Sequence, residues 1–462
     1  MDDYEEYFES INLYDNSYYD LIDMTCNIME EFIYNSPLLI SEENFEDIFQ
    51  DNISQILYSS IYDIFPDISE EYIDIIIYKI ISESSKIIYS HIIPKRYYKY
   101  TFIRSKPNIS KIQEKINIIR NIPQPEQRTT EWYMFRHNLI TASNAYKCLE
   151  NEKKINEIIF EKCQPFKIKD DSSVIVNTET PFHWGQKYEP ISVMIYENKY
   201  NCKVEDFGCI QHPNFIFLGA SPDGIVVNND SDRFGRMLEI KNPISRKITS
   251  IPKKMYWIQM QLQMEVCNLN ECDFLETKFV EYQNAHEFFK DGSFQRTHDK
   301  KQKGIILQFN VDKKNIYEYA PLNINEQQFT IWENEQIQKH SPTNYLNTIY
   351  WKLEQYSCSL VLRNKLWFKE AILQMEKVWN IVLEERISGY QHRAPQKKIK
   401  KPTSQEKCLL NVKQLLLQDN NSISDLSDDC DSKSQPKSSS QTSINEYIRI
   451  RTQSFDESKI CL

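Results

Sequence analysis

The sequence predicts an α/β protein: a β-rich region among helices, with a helical segment before it and a polar tail after it. Three observations carry that expectation. Met237-Leu238-Glu239-Ile240-Lys241 is a short apolar run in which strand alternation puts Glu239 and Lys241 on one face. Leu238 and Ile240 then face the other way, into a core. Upstream, the runs Phe215-Ile216-Phe217-Leu218 and Ile225-Val226-Val227 flank Gly219-Ala-Ser-Pro-Asp223-Gly224, and the polar turn 228–235 returns the chain. The pair therefore reads as a β-hairpin or near neighbour. Helical periodicity lies on both sides, in Ile73, Ile76, Ile77, Ile80 and Ile81 and in Met255, Ile258, Leu262 and Val266.

Charge divides the chain before any motif does. Residues 1–93 hold 21 Asp and Glu against Lys79 and Lys86, a net of −19, which leaves +8 for the rest of a chain whose total is −11. The first segment reads as an acidic helical domain, either a cap on the main domain or a surface that docks a basic partner. Ser41 with Glu42 and Glu43 marks a helix start, and Pro66 and Pro94 mark boundaries. Residues 94–125 follow as a basic and aromatic linker with a helix over 110–121. In it Lys95, Arg96, Lys99, Arg104 and Lys106 are interleaved with Tyr97, Tyr98, Tyr100 and Phe102. That mixture suits nucleic-acid contact or a solvated linker equally.

The main domain is expected over 126–390, with its motifs in 126–285. A strand over 304–311 and helical stretches over 325–340 and 345–388 complete it. Residues 391–462 read as a disordered, Ser/Lys/Asp-rich tail. The 11 cysteines show no Cys-x-x-Cys spacing, so reduced thiols in an intracellular protein are expected. No apolar run reaches membrane-spanning length, and the acidic start has no signal-peptide pattern.

Two inward residues of opposite sign on a buried strand need a reason, and a metal site supplies one. Five of the 8 glycines, Gly185, Gly208, Gly219, Gly224 and Gly235, fall in the same stretch. Glu189, in a helix expected to open at Trp184 and run to Lys199, could be a third carboxylate. Tyr256, Gln259 and Gln263 form a polar stripe beside the apolar one on the helix over 253–266. Arg136 offers a planar fork suited to phosphate, and a helix start near Ser143 would add backbone N–H groups for the same anion.

Taken together these segments resemble the YqaJ and phage-lambda exonuclease group of PD-(D/E)xK nucleases. The carrying residues are Trp132, Arg136 and Ile140-Thr-Ala-Ser143, then Trp184-Gly185 and Glu189, Ser221-Pro-Asp223-Gly224, Glu239-Ile240-Lys241, and Tyr256 with Gln259. The resemblance spans about 126–267 and implies a restriction-endonuclease-like core, a mixed central sheet flanked by helices. Departures are small: Pro190 after Glu189 fits the first turn of a helix, and the loop between Asp223 and Glu239 is long and polar.

What the resemblance implies is a Mg²⁺-dependent exonuclease, with Mn²⁺ as a substitute, digesting linear duplex DNA 5′→3′. Asp223, Glu239, Glu189 and the Ile240 carbonyl would hold the cation, hard oxygen ligands being what Mg²⁺ takes. Lys241 would position the attacking water or neutralise the transition state, and Gln259 would orient Lys241 or the water. Arg136 and Ser143 would bind the terminal 5′-phosphate, with Tyr256 beside the substrate. Expected partners are DNA ends and a single-strand annealing protein, in a large DNA virus, with a ring trimer or a monomer both open. A structure-specific endonuclease and a DNA-binding scaffold are the competing readings. In the tail, Gln441-Thr-Ser-Ile444-Asn-Glu-Tyr447-Ile448 resembles a sliding-clamp-binding peptide, and Lys397 to Lys401 a nuclear signal or phosphate-contacting tail.

Overall fold

The longest extended segment of the protein is one that its sequence assigns to a helix. Tyr345–Leu362, expected within a helical stretch over 345–388, is an 18-residue β-strand, and Lys365–Ser388 alone is helical. Tyr, Thr, Ile, Trp and Val in that run suit a pleated surface. Strands on both sides supply its ladder hydrogen bonds, which no local periodicity can reveal.

The computed structural model describes residues 16–64, 69–125, 129–166 and 180–395. In chain order its helices are α1 (Asn16–Asn35), α2 (Phe45–Ile64), α3 (Glu70–His91), α4 (Ile109–Asn121), α5 (Thr130–His137), α6 (Glu152–Cys163), α7 (Pro181–Tyr200), α8 (Lys254–Cys267), α9 (Ala285–Lys290), α10 (Glu326–His340) and α11 (Lys365–Ser388). Its strands are β1 (Ile140–Thr141), β2 (Val204–Glu205), β3 (Ile210–Gln211), β4 (Leu218–Ala220), β5 (Gly224–Val226), β6 (Met237–Lys241), β7 (Glu271–Glu281), β8 (Lys303–Val311), β9 (Lys314–Tyr319) and β10 (Tyr345–Leu362). The tail expected at 391–462 lies, from residue 396 onward, outside the described residues, as do its clamp-like and lysine-rich motifs.

The main sheet is mixed, in the order β2-β5-β6-β7-β10-β8-β9, and β1-β4-β3 form a smaller sheet. β5 and β6 pair antiparallel, as the hairpin reading expects, and β7 lies parallel to β6. Phe215–Leu218 is not the partner strand: β4 starts at Leu218 and pairs with β1 and β3 instead. The chain thus changes sheets across Ser221-Pro222-Asp223, which places Asp223 at the entry to β5. Strand alternation separates two cores. Met237, Cys272 and Phe274 join an apolar cluster with α8, α11 and α1–α3. Leu238, Ile240 and Leu275 face α7 through Tyr196.

Close approach explains two of the glycines. A Cβ on Gly224 would meet Val204 Cγ1 at 2.3 Å, and Gly235 has φ +81° with Ile112 Cγ2 2.5 Å from where its Cβ would stand. The acidic segment supplies α1, α2 and α3, and the isoleucine stripe Ile73, Ile76, Ile77, Ile80 and Ile81 is buried as its spacing requires. α2 begins at Phe45; Ser41 ends a 3₁₀ turn instead of capping a helix.

Arg96, grouped with solvent-facing cations in the sequence, is 1% exposed. Its guanidinium donates to the carbonyls of Ser41 and Pro252, and Trp257 Nε1 donates to its own carbonyl at 2.7 Å. Burial pulls its pKa down to about 10, against nearby carboxylates that raise it. Asp273 on β7 is fully buried too. It receives Arg233 Nη1 and Tyr196 Oη at 2.6 Å each and Thr101 Oγ1 at 2.7 Å, with Arg236 Nη1 at 3.3 Å. Removing one partner of such a network leaves charges buried without compensation. Asp273→Ala should lower the free energy of unfolding by about 3–5 kcal/mol in urea titrations. An unchanged midpoint would show that the network contributes nothing.

Candidate active site

Glu239 is the buried centre of the site. It has no accessible surface, because β6 presents it to α8 across from Phe274 in the neighbouring strand. Such a carboxylate persists only if its oxygens are matched. Oε2 accepts from Gln259 Nε2 at 2.8 Å and from Gln263 Nε2 at 2.7 Å, while Oε1 pairs with Lys241. Gln259 and Gln263 lie one turn apart on α8, so one helix face delivers both amides. The polar stripe read from the sequence is therefore the face that holds Glu239. Gln263 does more than its spacing shows: its amide also donates to the Ser221 carbonyl at 3.1 Å, tying the sheet-crossing segment to α8.

Asp223 is held by its Oδ2, which accepts the Ile240 N–H at 2.6 Å. Burial, then the charges of Glu239 and Glu189, push its pKa well above the usual carboxylate range; Lys241 and the Ile240 N–H only partly counter them. Lys241 is the converse case. Burial opposes its charge, but Glu239 and Asp223 outweigh burial and hold the ammonium protonated beyond its ordinary range. Its Nζ also stands 5.0 Å above the Tyr256 ring. Lys241 is thus a fixed cation, not a proton acceptor.

Glu189 reaches the site from α7 and shares one cleft with Asp223 and Gln259. The helix that carries it differs from the sequence expectation in one respect. It starts at Pro181, capped by Thr180, so Pro190 lies in its interior and not in its first turn. Proline has no N–H to offer the Gln186 carbonyl four residues back, so the ladder is interrupted beside Glu189.

At the other end of the same cleft, of about 610 Å³, stand Arg136 and Ser143. The Arg136 guanidinium lies 4.3 Å from the Trp132 ring centroid and donates to Ser221 Oγ at 3.3 Å and Ser143 Oγ at 3.5 Å. Ser143 does not open an α-helix. It sits in a turn closed by Thr141 and Asn144, followed by a 3₁₀ segment, Ala145–Leu149. The polar groups gathered there are thus side chains, Arg136, Ser143 and Ser221, and not a helix end. Ser221, at the sheet crossing, joins the two halves: its hydroxyl meets Arg136, and its carbonyl meets Gln263. Asp206 and Gln124 also line the cleft; neither carries a sequence signal that marks it.

Among the described residues, no three His, Cys, Asp or Glu side chains form a closed ligand set. The donor chemistry nonetheless fits a hard divalent cation. Asp223 and Glu189 are oxygen donors on one cleft wall with Glu239 behind them, and the mutual repulsion that raises Asp223 is what a cation would relieve. This has a signed consequence. The pKa of Asp223 in the folded protein lies above its unfolded value near 3.8, so its contribution is favourable below that pH and is lost as pH rises through the folded value. In chelator at neutral pH, Asp223→Asn should therefore raise Tm, with the gain shrinking as pH falls toward about 4. Added Mg²⁺ should raise Tm of the parent protein and not of the variant. A lower Tm for the variant in chelator at neutral pH would contradict the account.

Residues 131–270, which contain every site residue expected from the sequence, match the YqaJ-like viral recombinase domain. The chain is 31% identical over 339 residues to an uncharacterized protein of Acanthamoeba polyphaga mimivirus, covering 64% of this chain and 58% of that one. It thus spans under two thirds of the length of that relative. Among solved structures it is similar to the alkaline exonuclease LHK-Exo from Laribacter hongkongensis, at 17% identity and a TM-score of 0.32 over 58% of this chain and 98% of that one. The same enzyme in complex with dAMP matches at 16% identity and a TM-score of 0.32, again over 58% and 98% of the two chains. Residues 131–270 are thus similar to the YqaJ-like viral recombinase domain.

Proposed function

We propose that this protein is a divalent-cation-dependent exonuclease that digests linear duplex DNA from 5′-phosphorylated ends, in the service of recombination or repair in a large DNA virus. One observation carries the reading. A single cleft holds an arginine–hydroxyl pocket at one end, Arg136 with Ser143 and Ser221, and a carboxylate–lysine centre at the other.

Each residue then has a task that its surroundings support. Arg136, kept planar against Trp132, offers its fork to the terminal phosphate, with the two hydroxyls as further donors. Anchoring that phosphate sets which internucleotide phosphate faces Asp223 and Glu189. Asp223, Glu189, Glu239 and the Ile240 carbonyl would hold Mg²⁺, or Mn²⁺ in its place, and the cation would supply water activation and charge neutralisation. Water attacks phosphorus, the bond to the 3′-oxygen of the terminal nucleotide breaks, and that oxygen takes up a proton. The products are a 5′-mononucleotide and a strand whose new end again carries a 5′-phosphate. The Lys241 ammonium stabilises the extra negative charge of the transition state. Gln259 and Gln263 keep Glu239 from turning away, and Tyr256 keeps Lys241 over the site.

The test uses Mg²⁺ with linear 5′-phosphorylated duplex, linear unphosphorylated duplex and closed circular DNA. Loss of the phosphorylated linear DNA, with the circle intact, is the expected result; cutting of the circle would move the assignment to an endonuclease. Lys241→Ala and Asp223→Ala should each lower turnover by about 10²–10³-fold, the scale on which one charge-stabilising contact acts. Arg136→Ala should abolish the preference for phosphorylated ends. Equal losses on phosphorylated and unphosphorylated DNA would remove Arg136 from the end pocket.

A further inference from the structure

The segment Lys95–Lys106 lies outside the family domain, and its role is not absorbed by the cleft. Its sequence contains five cations and no carboxylate. The structure sorts them: Arg96 is a buried tie between Ser41 and Pro252, whereas Lys95, Lys99, Arg104 and Lys106 remain exposed. Two aromatic residues are exposed among them, Tyr100 at 71% and Phe102 at 41%.

The backbone beneath these side chains is pinned. Tyr98 exchanges both backbone hydrogen bonds with Leu360, at 2.8 and 3.0 Å, and the Thr101 N–H donates to the Cys358 carbonyl at 3.0 Å. The segment therefore extends β10 edge-on beyond the reach of β8. Thr101 turns inward, its hydroxyl on the buried Asp273, and Arg236 Nη1 donates to the Phe102 carbonyl at 3.0 Å. On either side of the inward Thr101, the Tyr100 and Phe102 side chains are exposed. Lys99 Nζ lies 5.5 Å from the Tyr100 ring centroid. Ser359 Oγ contacts both the Lys99 carbonyl and the Ser250 carbonyl, in the loop that leaves the catalytic strand β6.

We infer that residues 99–106 form a ledge that binds single-stranded DNA, with Tyr100 and Phe102 as stacking platforms and Lys99, Arg104 and Lys106 as phosphate contacts. Aromatic and basic side chains in one short segment offer contacts to both the base faces and the phosphates of a single strand. In a duplex the base faces are already stacked on each other, so exposed rings have nothing to gain there. Because the backbone from Tyr98 to Phe102, which carries both rings, is tied to Leu360, Cys358 and Arg236, little ordering entropy opposes stacking on them. The inference rests on the exonuclease reading only for the origin of the strand: digestion of one strand from an end leaves its complement unpaired, beside the loop from β6.

The full-length protein in chelator, titrated into labelled oligothymidine and into a labelled blunt hairpin duplex, tests this. The double variant Tyr100→Ala/Phe102→Ala should bind oligothymidine at least about tenfold more weakly, the scale of one lost stacking contact. Its affinity for the hairpin, and its hydrolysis of saturating 5′-phosphorylated duplex, should stay as in the parent. Lys99→Gln/Arg104→Gln/Lys106→Gln should lower the slope of log affinity against log salt on oligothymidine by about two. Unchanged binding in both variants would overturn the ledge and leave this face to a protein. Equal losses on oligothymidine and hairpin would overturn its assignment to single strands. A parent protein without nuclease activity but with ledge-dependent binding would remove the exonuclease reading and leave the ledge standing.

Discussion

A fully buried carboxylate governs the arrangement of the site. Glu239 can be buried only because Lys241, Gln259 and Gln263 match its oxygens. That requirement fixes β6 against α8, and α8 accordingly has few exposed positions along its length. Through Gln263 it also fixes Ser221, hence the point where the chain leaves the small sheet and enters the large one. Asp223 and the hydroxyl facing Arg136 are placed by that crossing. The two ends of the cleft are thus parts of one hydrogen-bonded assembly, and their spacing is a property of the core.

Electrostatics in this assembly are deliberately unbalanced. Asp223 stands beside two further carboxylates, Glu239 and Glu189, with one fixed ammonium, Lys241, and burial together with those charges disfavours its ionised form. Asp273 shows the alternative. On the opposite face of the sheet it is as deeply buried, yet two arginines, Tyr196 and Thr101 satisfy it. One buried acid is neutralised by the protein itself and fastens Thr101 and the turn before β6. The other group is left short of positive charge, which is what an ion-binding site requires.

Local chemistry made part of this legible. The hairpin partner β6, the inward pair Glu239 and Lys241, and the stripe of Gln259 and Gln263 follow from periods of two and 3.6 residues. The failures have a common cause. β10 reads as helix because its apolar residues permit either periodicity, and only β7 and β8 on its two sides decide for a strand. Pro190 reads as a first-turn residue because the helix is expected to open at Trp184, whereas the Thr180 cap starts it at Pro181 and leaves Pro190 in the interior. Arg96 reads as a surface cation because nothing local shows that Ser41, more than fifty residues before it, and Pro252, far beyond it, offer carbonyls at the same place.

By itself, then, the sequence determined the chemical inventory and its order: an acidic leading segment, a basic stretch, an arginine–serine motif, and the carboxylate–lysine set. These are properties of residue type and short spacing, which survive without a fold. The tertiary structure alone decided that Arg136 and Asp223 share a cleft, that Gln263 works beside Gln259, and that one arginine of the basic stretch is buried while its neighbours stay in solvent. Those outcomes depend on contacts between residues tens to hundreds of positions apart, where burial and hydrogen-bond matching choose among partners that the chain order leaves equal.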